Sequence, residues 1–133
     1  MNVLVDTSAV LAMLHLQDRN HPAADAIWRR LLEQNAAIWA TNYIVVESVS
    51  LLQARYGLPA VQTFQASMLP MLRIIWMEAD MHEISMRSLL LNNRRSLSFV
   101  DCSSMAVARS RGIQHIFAFD HHFDEGGFTC LMA

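Results

Sequence analysis

A short apolar strand near the start of the chain constrains the fold more than any other feature. Val3, Leu4 and Val5 form an unbroken run of strand-forming residues that ends at the carboxylate of Asp6. Such a run is typical of the central strand of a buried parallel sheet. The apolar stretch 9–14 then predicts a helix. An acid at this junction lies in the crevice where open α/β sheets bind ligands.

Predicted strands and helices alternate along the rest of the chain. Apolar runs predict five strands, at residues 3–5, 37–41, 72–76, 115–118 and 128–131. Helical spacing predicts six helices, at residues 9–14, 22–34, 43–52, 59–69, 78–92 and 99–111. This alternation calls for a mainly parallel sheet with right-handed crossovers and helices on both faces. We therefore expect an α/β fold in a single domain covering residues 1–133, with a loop at residues 119–127.

The composition narrows the class of protein. Hydrophobic residues make up 53% of the 133 residues and charged residues 17%, which is typical of a globular domain and not of a disordered chain. A net charge of −2 argues against binding nucleic acid by bulk electrostatics, but it allows an enzyme that contacts RNA locally. All basic residues are arginine, which excludes chemistry that depends on lysine.

The remaining composition points to a cytoplasmic protein. Cys102 and Cys130 are too few for a disulfide framework, and we expect Cys102 to be a small buried residue. No apolar run reaches the length needed to cross a membrane. The N-terminal run is short and ends in an acid, so it does not resemble a signal peptide.

Four carboxylates, Asp6, Glu47, Asp101 and Asp120, lie at predicted element ends or in apolar surroundings. Helix starts and strand carboxyl ends share one edge of a parallel sheet, so all four are expected at that edge. Each has a simpler explanation when taken alone. Asp6 could cap a helix, Glu47 could face solvent, and Asp120 could form a turn with its own backbone. The spacing of Ser98 and Asp101 fits a capping box. Independent caps, however, have no reason to converge on one edge.

Carboxylates gathered in this way repel one another, and a hard divalent cation relieves that repulsion. Oxygen ligands suit Mg²⁺ or Mn²⁺, whereas zinc is disfavoured because the chain has no H-E-x-x-H motif and no cysteine cluster. A site made of acids alone is typical of phosphoryl chemistry, in which the metal lowers the pKa of an attacking water. Thr7 and Ser8 are candidate N-caps for the first helix, or supports for the metal or the phosphate.

The motifs that carry these acids resemble those of the PIN domain, in order, and most resemble the small VapC-type toxins of toxin–antitoxin pairs. The matching segments are Val5-Asp6-Thr7-Ser8, Val46-Glu47, Ser98-Phe99-Val100-Asp101 and Ala118-Phe119-Asp120-His121-His122-Phe123. The resemblance implies a three-layer α/β/α PIN fold, with a mainly parallel sheet of four to five strands in the order 3-2-1-4-5. It also implies an endoribonuclease that depends on Mg²⁺ or Mn²⁺, is inhibited by a cognate antitoxin and often forms a homodimer.

Carried over residue by residue, the resemblance makes Asp6, Glu47, Asp101 and Asp120 the catalytic acids. Asp6, Asp101 and Asp120 would be the metal ligands. Asp124 is either an outer metal ligand or a solvated loop acid.

Four further side chains near the motifs are candidate contacts for RNA. His121 and His122 lie beside the fourth motif, where either could contact RNA or simply pack. Arg94 and Arg95 precede the third motif, where they could bind RNA phosphates or belong to a solvated loop.

Several alternatives can be weighed from single residues. A haloacid-dehalogenase-type phosphatase would need a second aspartate at the position of Ser8, and a response-regulator receiver would need a lysine. A housekeeping PIN nuclease, or a catalytically weak PIN scaffold that acts as a binding module, remains open. The apolar stretches 43–52 and 61–69, the latter including Phe64 and Met68, are candidates for a dimer face or an antitoxin groove.

Overall fold

The computed structural model describes residues 1–132, and its middle layer is a sheet of five parallel strands. The strands are β1 (Asn2–Val5), β2 (Ala37–Thr41), β3 (Arg73–Ile75), β4 (His115–Phe117) and β5 (Thr129–Cys130). They are arranged in the order β3-β2-β1-β4-β5. The parallel sheet and the strand order expected from the sequence are confirmed.

Strand β1 is the centre of the sheet, as its unbroken apolar run predicts. Val3, Leu4 and Val5 have no exposed surface. Leu4 lies in register with Trp39 of β2 on one side and Ile116 of β4 on the other. Only Asn2, at the start of the strand, is exposed, because residues 3–5 lie between β2 and β4 and are covered on both faces.

Helices cover both faces of the sheet and complete a three-layer sandwich. They are α1 (Thr7–Leu14), α2 (His21–Glu33), α3 (Asn42–Tyr56), α4 (Leu58–Thr63), α5 (Ala79–Asn92), α6 (Phe99–Arg111) and α7 (His122–Glu125). Within residues 1–132, every helix is too short or too polar to cross a membrane.

The ends of α6 follow the signals in its sequence. The hydroxyl oxygen of Ser98 accepts a hydrogen bond from Asp101 N, and a carboxylate oxygen of Asp101 accepts one from Ser98 N. This is the expected capping box. At the other end Gly112 has a φ of +67°, and Ile113 N donates to the carbonyl of Ala108 at 2.8 Å. A left-handed glycine therefore ends the helix.

The start of α1 differs from one prediction. Thr7 and Ser8 were candidate N-caps, but both are already helical, and Asp6 is the cap. Asp6 has extended backbone angles, and its carboxylate accepts a hydrogen bond from Ser8 N. The first two helical residues therefore leave the capping role to the acid that ends the strand.

Two local predictions from the sequence are wrong. Residues 119–127 are not wholly a loop, because they contain the four-residue helix α7. The predicted helix at residues 59–69 is regular only to Thr63, and a π-helical turn (Phe64–Met68) and a 3₁₀ turn (Leu69–Met71) follow it.

The prediction that Phe64 and Met68, in the stretch 61–69, belong to a docking surface is wrong as well. Phe64 is 1% exposed and Met68 is 3% exposed, and both belong to the main hydrophobic core. An apolar stripe on a helix indicates that the stripe packs against something, and here it packs against the hydrophobic core of the same chain. On α3, by contrast, Val46 is exposed.

Candidate active site at the carboxyl edge of the sheet

Asp6 and Ser8 connect the end of β1 to the end of β4. The backbone N–H of Asp6 donates to the carbonyl of Phe117 at 2.9 Å. One carboxylate oxygen of Asp6 accepts hydrogen bonds from Ser8 N at 3.0 Å and from Ser8 Oγ at 2.6 Å. Ser8 Oγ in turn accepts from Phe119 N at 3.0 Å. Ser8 therefore fixes the carboxylate of Asp6 and also the segment that leads to Asp120.

The carboxylate of Asp6 is held in an environment that disfavours its charge. Asp6 is 5% exposed, and burial raises the pKa of its carboxyl group from 3.8 to about 6. The hydrogen bonds from Ser8 lower the pKa, whereas the nearby carboxylates of Asp101 and Glu47 raise it further. The site therefore accumulates negative charge that the protein alone stabilises poorly.

Asp101 experiences similar opposing influences. It is 8% exposed in the first turn of α6, and burial is the main cause of its raised pKa. The capping hydrogen bonds with Ser98 lower that pKa, the carboxylate of Asp120 raises it, and His122 lowers it. Asp101 therefore takes part both in the capping box of α6 and in the group of acids at the sheet edge, so one role does not exclude the other.

Asp101, Asp120 and His122 form the tightest group of possible metal-binding side chains among residues 1–132. Each offers one donor atom, and these atoms lie within 4.8 Å of one another. Asp120 Oδ1 accepts a hydrogen bond from His122 N at 3.0 Å and lies 3.6 Å from His122 Nε2. The other ring nitrogen of His122, Nδ1, is buried and has no hydrogen-bond partner among residues 1–132. The short helix α7 places the imidazole beside the acids.

The donor set fits a hard divalent cation. Two carboxylates converge with Asp6 behind them, and within residues 1–132 no arginine lies at ion-pair distance from Asp6, Asp101 or Asp120. The mutual repulsion is therefore left for a bound ion to relieve. The two carboxylates suit Mg²⁺ or Mn²⁺, which both prefer oxygen ligands.

Glu47 lies in α3, which follows β2, whereas Asp120 follows β4 on the other side of β1. Glu47 is half-buried, and its charge raises the pKa of Asp6, but it is outside the group of donors within 4.8 Å. Its neighbour Ser48 is fully buried and donates to Thr7 Oγ1 at 3.4 Å. The role of Thr7 in this structure is thus to join α1 to α3.

The remaining candidates lie around this centre. Asp124 is exposed on α7 and lies outside the 4.8 Å group. Burial, together with the nearby carboxylate of Asp124, raises the pKa of the Cys130 thiol to about 11. Arg94 forms an exposed ion pair with Glu125 at 3.0 Å, and Arg95 is exposed. The fully buried position expected for Cys102 is confirmed.

Two clefts open beside Asp120, and their walls include residues that the sequence did not single out. One, of about 510 Å³, is lined by Ser8, Arg55 and His121 among others. The other, of about 440 Å³, reaches β5 and includes Arg19. Arg55 is in the last turn of α3 and Arg19 is between α1 and α2. Neither stands near a motif, so only the folded chain reveals their position.

Comparison with known proteins agrees with the fold. The family model of the PIN domain matches residues 3–128. The chain belongs to the PIN-domain family. It is also similar to the 23S rRNA-specific endonuclease VapC20 of Mycobacterium tuberculosis, with 32% identity over 128 residues, which are 96% of this chain and 95% of that protein. The resemblance to VapC-type toxins and the enzyme class, a metal-dependent nuclease, are thereby confirmed.

Solved structures give the same result. The crystal structure of M. tuberculosis VapC20, described as a Sarcin-Ricin loop cleaving toxin, matches with a TM-score of 0.84 and 31% identity over 98% of this chain and 99% of that one. FitAcB from Neisseria gonorrhoeae matches at 0.69 with 18% identity, over 97% and 96% of the two chains. PAE2754 from Pyrobaculum aerophilum matches at 0.66 with 19% identity, over 98% and 89%. The last two support the fold alone.

Proposed function

We propose that this protein is an endoribonuclease that hydrolyses an RNA phosphodiester with a bound Mg²⁺ or Mn²⁺ ion, as the toxin of a toxin–antitoxin pair. The observation that carries the proposal is the convergence of Asp101, Asp120 and His122 at the carboxyl edge of the sheet, next to the buried Asp6. The similarity to VapC20 over nearly the whole of both chains supports an RNA substrate, with a loop of 23S ribosomal RNA as the first target to test.

In this proposal Asp6, Asp101 and Asp120 hold the metal. When bound, the ion would supply positive charge to the phosphodiester and lower the pKa of the attacking water. Glu47, whose charge reaches Asp6, would accept a hydrogen bond from that water and orient it. Ser8 keeps the carboxylate of Asp6 fixed through two hydrogen bonds. The new bond would join the water oxygen to phosphorus, the bond from phosphorus to the leaving sugar oxygen would break, and one proton of the water would end on that leaving oxygen.

Positive side chains around the clefts would bind the RNA backbone. Arg55 and Arg19 line the clefts beside Asp120, and the exposed Arg94 and Arg95 lie on the loop before α6. His121 lines both clefts, and His122 lines one of them and belongs to the close group of donors. A small number of positive side chains at the clefts is consistent with the net charge of −2, because these side chains need to neutralise only the phosphates of the RNA that passes over them.

The partner and the assembly belong to the same proposal. A cognate antitoxin would cover the acid cleft, and a homodimer and a cytoplasmic location are expected for a toxin that acts on ribosomal RNA. Asp124 would act only as an outer, water-mediated support, because it lies outside the close group of donors.

Cleavage of a structured RNA pool by the purified protein tests the activity. We expect cutting with Mg²⁺ or Mn²⁺, none with EDTA, and none with Asp101→Asn in any buffer. Asp25→Asn is the matched control, since Asp25 forms only a surface ion pair with Arg29 on α2. Equal cutting by the wild type and Asp101→Asn would mean contamination or a wrong site.

Absence of cutting under every condition would contradict the nuclease proposal for that RNA pool. A thermal shift with Mn²⁺ would then separate a metal site from a plain PIN scaffold. A shift that is lost in Asp6→Asn would retain the metal site, whereas no shift in the wild type would favour a binding module.

A further inference from the structure

An aromatic cluster lies beside the acids, where α3 and α6 begin. The rings of Tyr43 and Phe99 are 5.8 Å apart between centroids, and His82 of α5 packs against Phe99 at 5.2 Å. The hydroxyl of Tyr43 is hydrogen-bonded to Nδ1 of His82, which holds the Tyr43 ring in place. The cleavage chemistry proposed above uses none of these three rings.

Tyr43 and Phe99 of this cluster line a cavity of about 360 Å³, and Glu47 lines it as well. Its lining consists of Asn42, Tyr43, Val46, Glu47, Phe99 and Val100. Most of these side chains present carbon to the cavity, and Val46 is 64% exposed. Phe99 and Val100 directly precede Asp101, and Val46 directly precedes Glu47. A molecule that fills the cavity therefore lies next to the proposed catalytic acids.

One polar group of the lining is oriented for a ligand. Asn42 Oδ1 accepts a hydrogen bond from Met77 N at 2.8 Å. A backbone N–H needs an acceptor, so this contact fixes which end of the amide is oxygen. The Nδ2 hydrogens then remain to donate to whatever enters the cavity. The site combines aromatic faces with a fixed hydrogen-bond donor.

We infer that this cavity binds an unpaired base of the RNA, next to the phosphodiester that is cleaved. Phe99 and Tyr43 supply the stacking surface, and Asn42 donates to the edge of the base. The inference rests on the proposed function, since it concerns the substrate of the same site. Sequence-specific RNA recognition uses unstacked bases that stack on aromatic side chains and are hydrogen-bonded at their edges.

The charge of the protein favours a base over the phosphate backbone as the ligand here. A chain with a net charge of −2 gains little from bulk attraction to RNA, so stacking has to contribute more of the affinity. Glu47 in the lining repels a phosphate but not a neutral base. An apolar side chain of a protein partner would leave the donor of Asn42 without an acceptor, which disfavours that occupant.

Phe99→Leu tests the inference, because leucine keeps apolar volume and removes the aromatic face. The substrates are the cleaved RNA and a series of the same RNA with one abasic nucleotide near the cleavage site. We expect Phe99→Leu to lower kcat/KM on intact RNA by about 5- to 150-fold, the range expected for one stacked base. On the RNA that is abasic at the occupied position, wild type and variant should cleave equally.

Tyr56→Leu is the matched control. Tyr56 is on the same helix as Tyr43, about 20 Å along its axis, and stacks on His15. This variant should cleave intact and abasic RNA in the wild-type ratio. Unchanged cleavage by Phe99→Leu, or an equal loss on every abasic RNA, would overturn the inference and leave the nuclease function standing.

Binding in EDTA decides the inference separately from catalysis. Fluorescence anisotropy with labelled intact and abasic RNA should show weaker binding by Phe99→Leu on the intact strand alone. This result together with no cleavage by the wild type would reject the nuclease function and keep the base site. If Phe99→Leu binds RNA normally but binds the antitoxin more weakly, the cavity is a protein-docking site and the inference is wrong.

Discussion

Replacing Asp6 by asparagine should stabilise the metal-free protein at neutral pH, although Asp6 is a proposed metal ligand. Asp6 is buried, and its pKa is raised from 3.8 to about 6. Asparagine has the same shape, carries no charge, and is as good an N-cap as aspartate. The substitution therefore keeps the start of α1 and removes only the buried charge.

The magnitude follows from the two pKa values. A difference of about two, at 1.36 kcal/mol for each pKa unit, corresponds to about 3 kcal/mol. The value of about 6 already includes the hydrogen bonds from Ser8. The folded protein binds the proton more tightly than the unfolded chain, so stability falls as the pH rises through the window from 3.8 to about 6. Above this window the full cost of the charge is present.

Urea unfolding of both proteins in EDTA, at several pH values between 4 and 7.5, measures this effect. We expect Asp6→Asn and wild type to be about equally stable near pH 4. The variant should become more stable as the pH rises, by up to about 3 kcal/mol at pH 7.5. Asp25→Asn, which changes an exposed acid, should stay within about 0.5 kcal/mol of the wild type throughout.

Two results would refute this reasoning. One is a variant that is no more stable than the wild type at pH 7.5, and the other is a difference that does not depend on pH. Adding Mn²⁺ supplies an internal check. The ion should stabilise the wild type by about 2.7 kcal/mol at a hundredfold excess over its Kd, and it should stabilise Asp6→Asn much less.

Two further substitutions test the fold. Phe64→Ala should cost about 3–5 kcal/mol of unfolding free energy, because Phe64 is 1% exposed in the main core, and a loss under 1 kcal/mol would contradict that burial. Gly112→Ala should cost about 1 kcal/mol from its left-handed backbone alone, since a Cβ there would meet no atom within 4 Å. Gly112→Asn should recover part of that loss in the same thermal unfolding measurement, and an alanine variant as stable as the wild type would refute the strain.

Most of the sheet could be predicted from the sequence because its signals are local. The three residues before Asp6, Val3 to Val5, are all apolar and buried, as expected for a strand covered on both faces. Ser98 and Gly112 mark the ends of α6 by hydrogen bonds that span a few residues. The order of the strands, by contrast, came from the resemblance of the motifs, because local patterns do not say which strands are neighbours.

The errors occur where the deciding contacts are distant or the element is very short. Helix α7 has four residues, too few to show a helical period. The change from α to π hydrogen bonding at Phe64 leaves the apolar pattern almost unaltered. Phe64 and Met68 were candidates for an exposed face because a stripe of apolar residues does not reveal what covers it.

The candidate site, like the fold, was predicted only in part. A parallel sheet was sufficient to predict that the acids gather at one edge. It did not predict that His122 would join Asp101 and Asp120 more closely than Asp6 does, because that depends on the turn at Asp120 and on α7. The position of Arg55 beside the cleft could not be predicted from the sequence either, because it depends on how α3 packs.

The place of the acids in the topology explains why the fold tolerates them. Strand β1 lies between β2 and β4, so the chain leaves it towards one side of the sheet and returns later on the other. Such a switch point leaves a crevice at the carboxyl ends of the two strands, and Asp6 and Asp120 follow those ends. The charge of Asp6 costs about 3 kcal/mol in a domain whose net stability is expected to be about 5–15 kcal/mol. Asparagine would cap α1 equally well at no such cost, so capping alone does not explain the aspartate, whereas binding of a cation does.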